Sequence, residues 1–265
     1  MNRFASFDGA SLAYESYGPA DGTPPVLLLH GFAADSVANW VRPHVVDALV
    51  DAGRHVITLD ARGHGHSDKP HDPAAYAGGA MVRDAQALLD HLGFERVDVC
   101  GYSMGAMTTY ALVGREPRAR SAVLGGVGGT LDGPRLAKRA PRIANALETD
   151  NPSAIKDRTG AAFRSFADST GADLRALAAI QRARRSSRSG PRREAAPIRV
   201  PTLVITGEKD TLVGSPHELA ARIADATVVT VSGDHLSAVF DPKFRESIVG
   251  FLEGVDRRVT HQAPA

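Results

Sequence analysis

Short apolar runs alternate with helix-period segments along most of this chain. Arg3 to Asp8 and Leu12 to Tyr17 alternate in polarity around Asp8-Gly9, which predicts an opening antiparallel hairpin. Beyond it, Val26–Leu29, His55–Leu59, Val97–Cys100, Ser121–Leu124, Thr202–Ile205 and Thr227–Val231 are continuous apolar runs of the length expected for buried parallel strands. Helical periodicity fills most of the gaps, at Ser36–Asp51, Ala75–Leu92, Met104–Gly114, Pro216–Ala224 and Lys243–Leu252. Repeated βα units predict an α/β fold, a doubly wound and mostly parallel sheet. Its ligand crevice then lies at the carboxyl ends of the strands, so functional residues are expected just after strands.

One region breaks the alternation. Between Gly128 and Pro201 the pattern contains no strand, only helical segments at Pro134–Glu148, Ser153–Ser169 and Leu174–Arg185. Charge follows the same boundary: residues 134–199 hold 15 Lys+Arg against 6 Asp+Glu, leaving 16 against 24 in the remainder. The simplest account is a solvated arginine-rich surface. The alternatives are a lid that draws anionic substrates toward the crevice, or phosphate contacts by Arg182-Ala183-Arg184-Arg185-Ser186-Ser187-Arg188. No interleaved aromatics or nucleic-acid module support the last, so no nucleic-acid partner is expected.

The 265 residues suffice for one large domain, and the net charge of +1 points to no polyanionic partner. The single cysteine, Cys100, excludes an internal disulfide and a cysteine-built zinc site, and its strand position predicts inert packing. No signal-peptide pattern opens the sequence and no apolar run reaches the ~18 residues of a membrane span, which predicts a cytoplasmic protein without a membrane span.

Chemistry enters at Gly101-Tyr102-Ser103-Met104-Gly105, which follows an apolar run and precedes a helical one. A serine between glycines at that junction is the pattern of a strained strand-to-helix turn that lifts the hydroxyl above the sheet edge. Bulk at 101 or 105 would crowd the turn. The first helical turn also directs unpaired amide N–H groups at the place where negative charge develops in acyl transfer. Such a glycine-rich turn also serves as a plain connection, so its meaning depends on partners elsewhere.

Serine needs a base to take its proton and a carboxylate to orient that base. Asp210 follows the strand ending near Thr206-Gly207, and His235 follows the next strand and its Ser232-Gly233-Asp234 turn. Their chain order, Ser103, Asp210, His235, is the one this elbow requires. Asp132 is the competing carboxylate; Asp234 reads as a turn residue beside the base. His217 and His261 read as solvated, and His30 as a turn-shaping residue. A second oxyanion donor besides Met104 N–H is expected on the turn after Val26–Leu29, where Phe32 N–H is the candidate. Trp40, Leu236 and Phe240, together with Phe32 and Met104, are candidate walls of an apolar substrate pocket, with Phe163 and Phe166 contributing from the basic region.

These residues together resemble the α/β-hydrolase superfamily. The matching stretches are His30-Gly31-Phe32, the loop from Asp60 to Pro70, the Gly101–Gly105 elbow, Gly207-Glu208-Lys209-Asp210 and Gly233-Asp234-His235. The resemblance implies a core domain of residues 1–127 and 200–265 with a small helical basic cap, residues 128–199, inserted after the sixth strand. It implies that the Asp60–Ser67 loop is mainly structural, so that His64 and His66 are surface or loop-bracing residues and not metal ligands. It further implies a serine hydrolase, foremost a carboxylic ester hydrolase acting through an acyl-enzyme on a small-molecule substrate, with no metal or organic cofactor. Carbon–carbon bond hydrolases and cofactor-free perhydrolases share the same three residues and remain alternatives. Relatives such as haloalkane dehalogenases and epoxide hydrolases carry a carboxylate in place of Ser103, which disfavours those activities. A ligand receptor, or an interaction protein acting through the arginines, is the alternative from another class.

Overall fold

The computed structural model describes residues 1–20, 23–129, 131, 134–186 and 196–262. Eight strands form one sheet: β1 (Asn2–Ala5), β2 (Ser11–Tyr17), β3 (Val26–Leu29), β4 (Val56–Leu59), β5 (Val97–Tyr102), β6 (Ala119–Gly125), β7 (Thr202–Gly207) and β8 (Ala226–Val231). Their spatial order is β1-β2-β4-β3-β5-β6-β7-β8, with β1 and β2 antiparallel and the rest parallel. The predicted hairpin is present, and each predicted parallel strand is found within a few residues of its expected bounds.

Helices cover both faces: α1 (Val45–Asp51) and α8 (Pro242–Gln262) on one, α2 (Ala80–Leu92), α3 (Met104–Val113) and α7 (Pro216–Ala220) on the other. The strand period of two produces this division. In β3, Leu27 and Leu29 pack with Leu88 and Leu112, whereas Val26 and Leu28 pack with Val46, Leu49 and Phe244. A strand buried on both faces must read as a continuous apolar run, as β3 does. Cys100 lies in the second layer, buried, and burial pushes its thiol pKa up, which keeps it a protonated packing residue.

Two predicted helices are broken. Ser36–Asp51 divides into a single π-helical turn, Val37–Val41, and α1, because Pro43 lacks an amide donor and His44 adopts a left-handed conformation (φ 59°). Ala75–Leu92 divides at Gly78-Gly79, where both residues have positive φ. Conversely, α8 runs through His261 to Gln262, well past the predicted end at Leu252.

Between β6 and β7 lie α4 (Pro134–Glu148), α5 (Arg158–Thr170) and α6 (Leu174–Ser186). Asp157 caps α5 by accepting from Gly160 N–H, and Gly171 ends it in a left-handed turn (φ 66°). Ile143, Leu147, Ala167, Leu177 and Ile180 form a separate apolar cluster that continues onto Phe32 and Met104 of the sheet domain. Among the described residues no helix is long and apolar enough to cross a membrane.

Candidate active site

Parallel order reverses at β3, which has β4 on one side and β5 on the other. Open α/β sheets form their crevice at such a switch point, because the helices after the two strands depart to opposite faces. The last residues of β3 and Gly101 of β5 are in register, Leu29 opposite Gly101, so the turns that follow them are neighbours. One carries His30-Gly31-Phe32 and the other Ser103.

Ser103 sits at φ 52° and ψ −105°, a conformation that non-glycine residues rarely adopt. The flanking glycines have a steric cause. A Cβ at Gly105 would lie 1.8 Å from the Leu29 carbonyl oxygen, and one at Gly101 would lie 2.3 Å from the Gly105 carbonyl oxygen. The turn is held by Ser103 N–H donating to Gly125 O at 2.8 Å.

Ser103 Oγ is 2.9 Å from His235 Nε2, and His235 Nδ1 is 2.7 Å from Asp210 Oδ2. Asp210 is fully enclosed and its other oxygen accepts from Leu212 N–H at 2.9 Å. With Nδ1–H donating to the carboxylate, Nε2 is the unprotonated nitrogen that faces the serine. The structure therefore brings together Ser103, Asp210 and His235 from the ends of β5, β7 and β8. Asp234 acts in the adjoining turn, its carboxylate accepting from Leu236 N–H, Ser237 N–H and the Ser237 hydroxyl, and the Ser237 bonds hold its pKa below the usual range. Asp132 lies outside the described residues. His217 is exposed on α7, and His30 is buried.

Phe32 and Met104 flank the serine on the β3 turn and the first position of α3. Among the described residues neither backbone N–H has an acceptor. Phe32 packs edge-on against Phe163 of α5, ring centroids 5.6 Å apart.

The β3 turn is held by a reciprocal pair of histidines that sequence reasoning had treated only as turn or loop residues. His30 Nε2 accepts from Ala61 N–H at 3.0 Å, while His64 Nε2 accepts from Ala33 N–H at 3.2 Å. Each Nδ1 faces a carbonyl, Gly31 O and Arg62 O, so these partners assign the proton to Nδ1 in both rings. Burial, with the neighbouring His30, lowers the His64 pKa to about 3, keeping it the neutral acceptor that Ala33 needs. Ala33 itself has φ 62°, so this bond secures a strained residue next to Phe32. Asn39 Oδ1 adds a bond from Gly31 N–H at 2.8 Å. Below, the Asp60 carboxylate accepts from Ser36 and His66 N–H, and Arg62 pairs with the buried Asp84 at 2.6 Å. His66 is exposed.

Tyr102 was also missed as a positioning residue. Its hydroxyl donates to His235 O at 2.7 Å, linking the elbow to the histidine loop across the sheet edge. A tyrosine directly before the serine is the only sequence signal, and it has no meaning until β5 and β8 are placed.

The crevice has two lobes meeting at Ser103, His235, Phe32 and Phe163. The first, about 630 Å³ with its open mouth, lies against α4, α5 and α6; the second, about 620 Å³, is walled by Phe166, Leu236, Val239 and Phe240. Leu236 and Phe240 line the second lobe. Trp40 does not: it is fully buried with Val45, Val46 and Leu49 beneath α1. As a large apolar group on a short turn facing the sheet, it gains more from complete burial there than from a place in the crevice wall. Met104 is buried as well, its side chain packed toward Phe32 and the inserted helices.

This architecture is found in known proteins. The α/β hydrolase fold family matches residues 24–128, and the chain belongs to the α/β-hydrolase superfamily. The solved structure of an enol-lactonase from Burkholderia xenovorans LB400 is 28% identical, with a TM-score of 0.72, covering 95% of this chain and 100% of that one. A hydrolase from Pseudomonas aeruginosa PA01 is 29% identical with a TM-score of 0.75, covering 96% and 97%. Among curated relatives, epoxide hydrolase B of Mycobacterium tuberculosis is 35% identical over 126 residues, 47% of this chain. That match spans 35% of the relative's length.

Proposed function

We propose that the protein is a serine hydrolase that cleaves carboxylic esters of small molecules through an acyl-enzyme. The observation that carries this reading is the 2.9 Å approach of His235 Nε2 to the hydroxyl of a serine held in a strained turn. In this mechanism Ser103 attacks the ester carbonyl as His235 takes its proton. Asp210 stabilises the imidazolium, and Phe32 and Met104 N–H groups bind the oxyanion. His235 then protonates the departing alcohol, and it activates the water that releases the acid. Metal and organic cofactors have no step here. Residues 1–127 and 200–265 act as the catalytic core and 128–199 as a cap that shapes substrate access.

The likeness to epoxide hydrolases extends to the fold of the matched segment. An alkyl-enzyme route needs a carboxylate nucleophile, and position 103 holds a serine. The test is labelling with a fluorophosphonate, comparing the parent chain with Ser103→Ala, followed by turnover of acyl esters of graded length and one epoxide. Labelling of the parent alone together with ester turnover is expected. Equal labelling of both proteins, or turnover of the epoxide in preference to all esters, would overturn the reading.

A further inference from the structure

The inserted helices turn a selected part of their basic charge inward. Arg182 points to solvent, where it pairs with Glu148, but Arg184, two residues on, lines the first lobe beside Ser103. Gln181, one turn before Arg184 on the same face of α6, is almost wholly buried and lines the lobe too. Arg139 enters from α4, and Thr159 from α5 supplies a hydroxyl. Arg139 uses one nitrogen, Nη1, to donate to Leu212 O at 3.0 Å, which anchors the guanidinium on the loop that carries Asp210. Among the described residues it has no carboxylate partner, and no Asp or Glu lines either lobe. The rest of the lobe is apolar, with Ile143, Leu131 and Val127 among its walls.

We propose that this lobe is a carboxylate-binding subsite, so that the ester substrate carries an anionic group on the arm that enters it, received by Arg139 and Arg184. The proposal rests on the ester-hydrolase reading for the reaction but not for the binding. Its logic is one of placement: a hydrocarbon arm is gripped by the apolar walls, and two arginines line the same lobe. Burial lowers the Arg184 pKa to about 10, which leaves it a cation at neutral pH. A guanidinium that lines a largely apolar crevice is matched by a ligand that supplies hydrogen-bond acceptors and opposite charge together. Arginine also offers a planar fork that fits a carboxylate in two parallel bonds. The lobe thereby separates two uses of the basic region, a solvated exterior and an interior that reads charge.

The experiment uses substrate pairs matched in length: monomethyl adipate against methyl hexanoate for the acyl arm, and 4-acetoxybutyrate against butyl acetate for the alcohol arm. In at least one pair the charged ester is expected to have a ten-fold or greater advantage in kcat/KM, carried by KM. Arg139→Gln and Arg184→Gln are each expected to lower that charged-to-neutral ratio five-fold or more, and Arg184→Lys to keep part of it. A ratio at or below one in both pairs overturns the subsite, as does a ratio that both Gln variants leave unchanged. The parent's own ratio decides the matter if a variant does not fold.

A binding arm separates the two readings. Calorimetry on Ser103→Ala with monomethyl adipate and methyl hexanoate, and with the acetate pair, needs no turnover. Tighter binding of a charged ester with no ester cleaved by the parent would sink the ester reading and keep the subsite. Ester cleavage with equal binding of charged and neutral esters would do the reverse.

Discussion

The two halves of the crevice are built by different rules. On the sheet side almost every position is dictated by contact: Gly101 and Gly105 by carbonyl oxygens that a methyl group would strike, Asp210 by full enclosure, and His30 and His64 by amide donors that only an acceptor at that point can satisfy. On the side of the inserted helices the framework is an apolar cluster of alanines, leucines and isoleucines, and the residues that face the lobe are carried on it. In the proposed reading the first half fixes where atoms react and the second sets which molecule presents them, so a change on the sheet side is expected to cost chemistry and a change on the helical side to cost selection.

Asp210→Asn tests this contrast most severely. An asparagine there favours the wrong tautomer of His235, and kcat is expected to fall by about 10⁴-fold with the fold intact by circular dichroism. A loss under ten-fold would remove Asp210 from the mechanism. Gly105→Ala comes next. Its methyl group must displace the β3 backbone at Leu29, and destabilisation of about 3 kcal/mol or more is expected in urea denaturation, with loss of serine labelling. An unaltered midpoint would show that the turn tolerates bulk.

The bracing of the β3 turn has a pH signature. Because the folded-state pKa of His64 is depressed to about 3, the unfolded chain binds this proton first as pH falls through about 6.5. Its contribution to stability is thus intact above that value and declines toward pH 3, by about 1.4 kcal/mol for each pH unit in the limit. Comparing Tm at pH 7 and pH 5, the parent should lose more than His64→Gln; parallel losses would deny His64 this role.

Tyr102→Phe removes a donor from the His235 carbonyl while keeping the ring. About 1–3 kcal/mol of stability and about ten-fold in kcat, with KM little altered, are the expected losses. An effect on KM alone would place Tyr102 in binding instead. The smallest effect belongs to the outer face of the inserted helices. Glu148→Gln breaks a solvent-exposed pair with Arg182, and a change below about 1 kcal/mol with unchanged kcat/KM is expected. A large loss of activity would contradict the division between the two surfaces of this region.

Much of the sheet side was legible in the residues alone. Glycines at 101 and 105, apolar runs before them and before Asp210 and His235, and the chain order of the three residues all reflect local constraints: periodicity, backbone freedom and the need for chemistry to follow strands. Helix breaks were less legible, because Pro43 and Gly78-Gly79 interrupt segments whose apolar periodicity continues across them. Trp40 shows the same limit in a single side chain, since an aromatic residue near the crevice in sequence satisfies burial equally well in the layer beneath α1.

Sequence by itself determined the repeating βα order, the strained serine turn and the residue types that follow strands β5, β7 and β8, because each rests on interactions within a few residues. Only the tertiary structure decided that His30 and His64 exchange acceptors across two loops, that Tyr102 reaches the His235 carbonyl, and that Arg184 faces inward while Arg182 faces out. The reason is that a side chain's partner across the sheet edge, or across a helix packed on it, depends on strand order and helix rotation. Those are set by the burial of the whole apolar surface and by no local spacing.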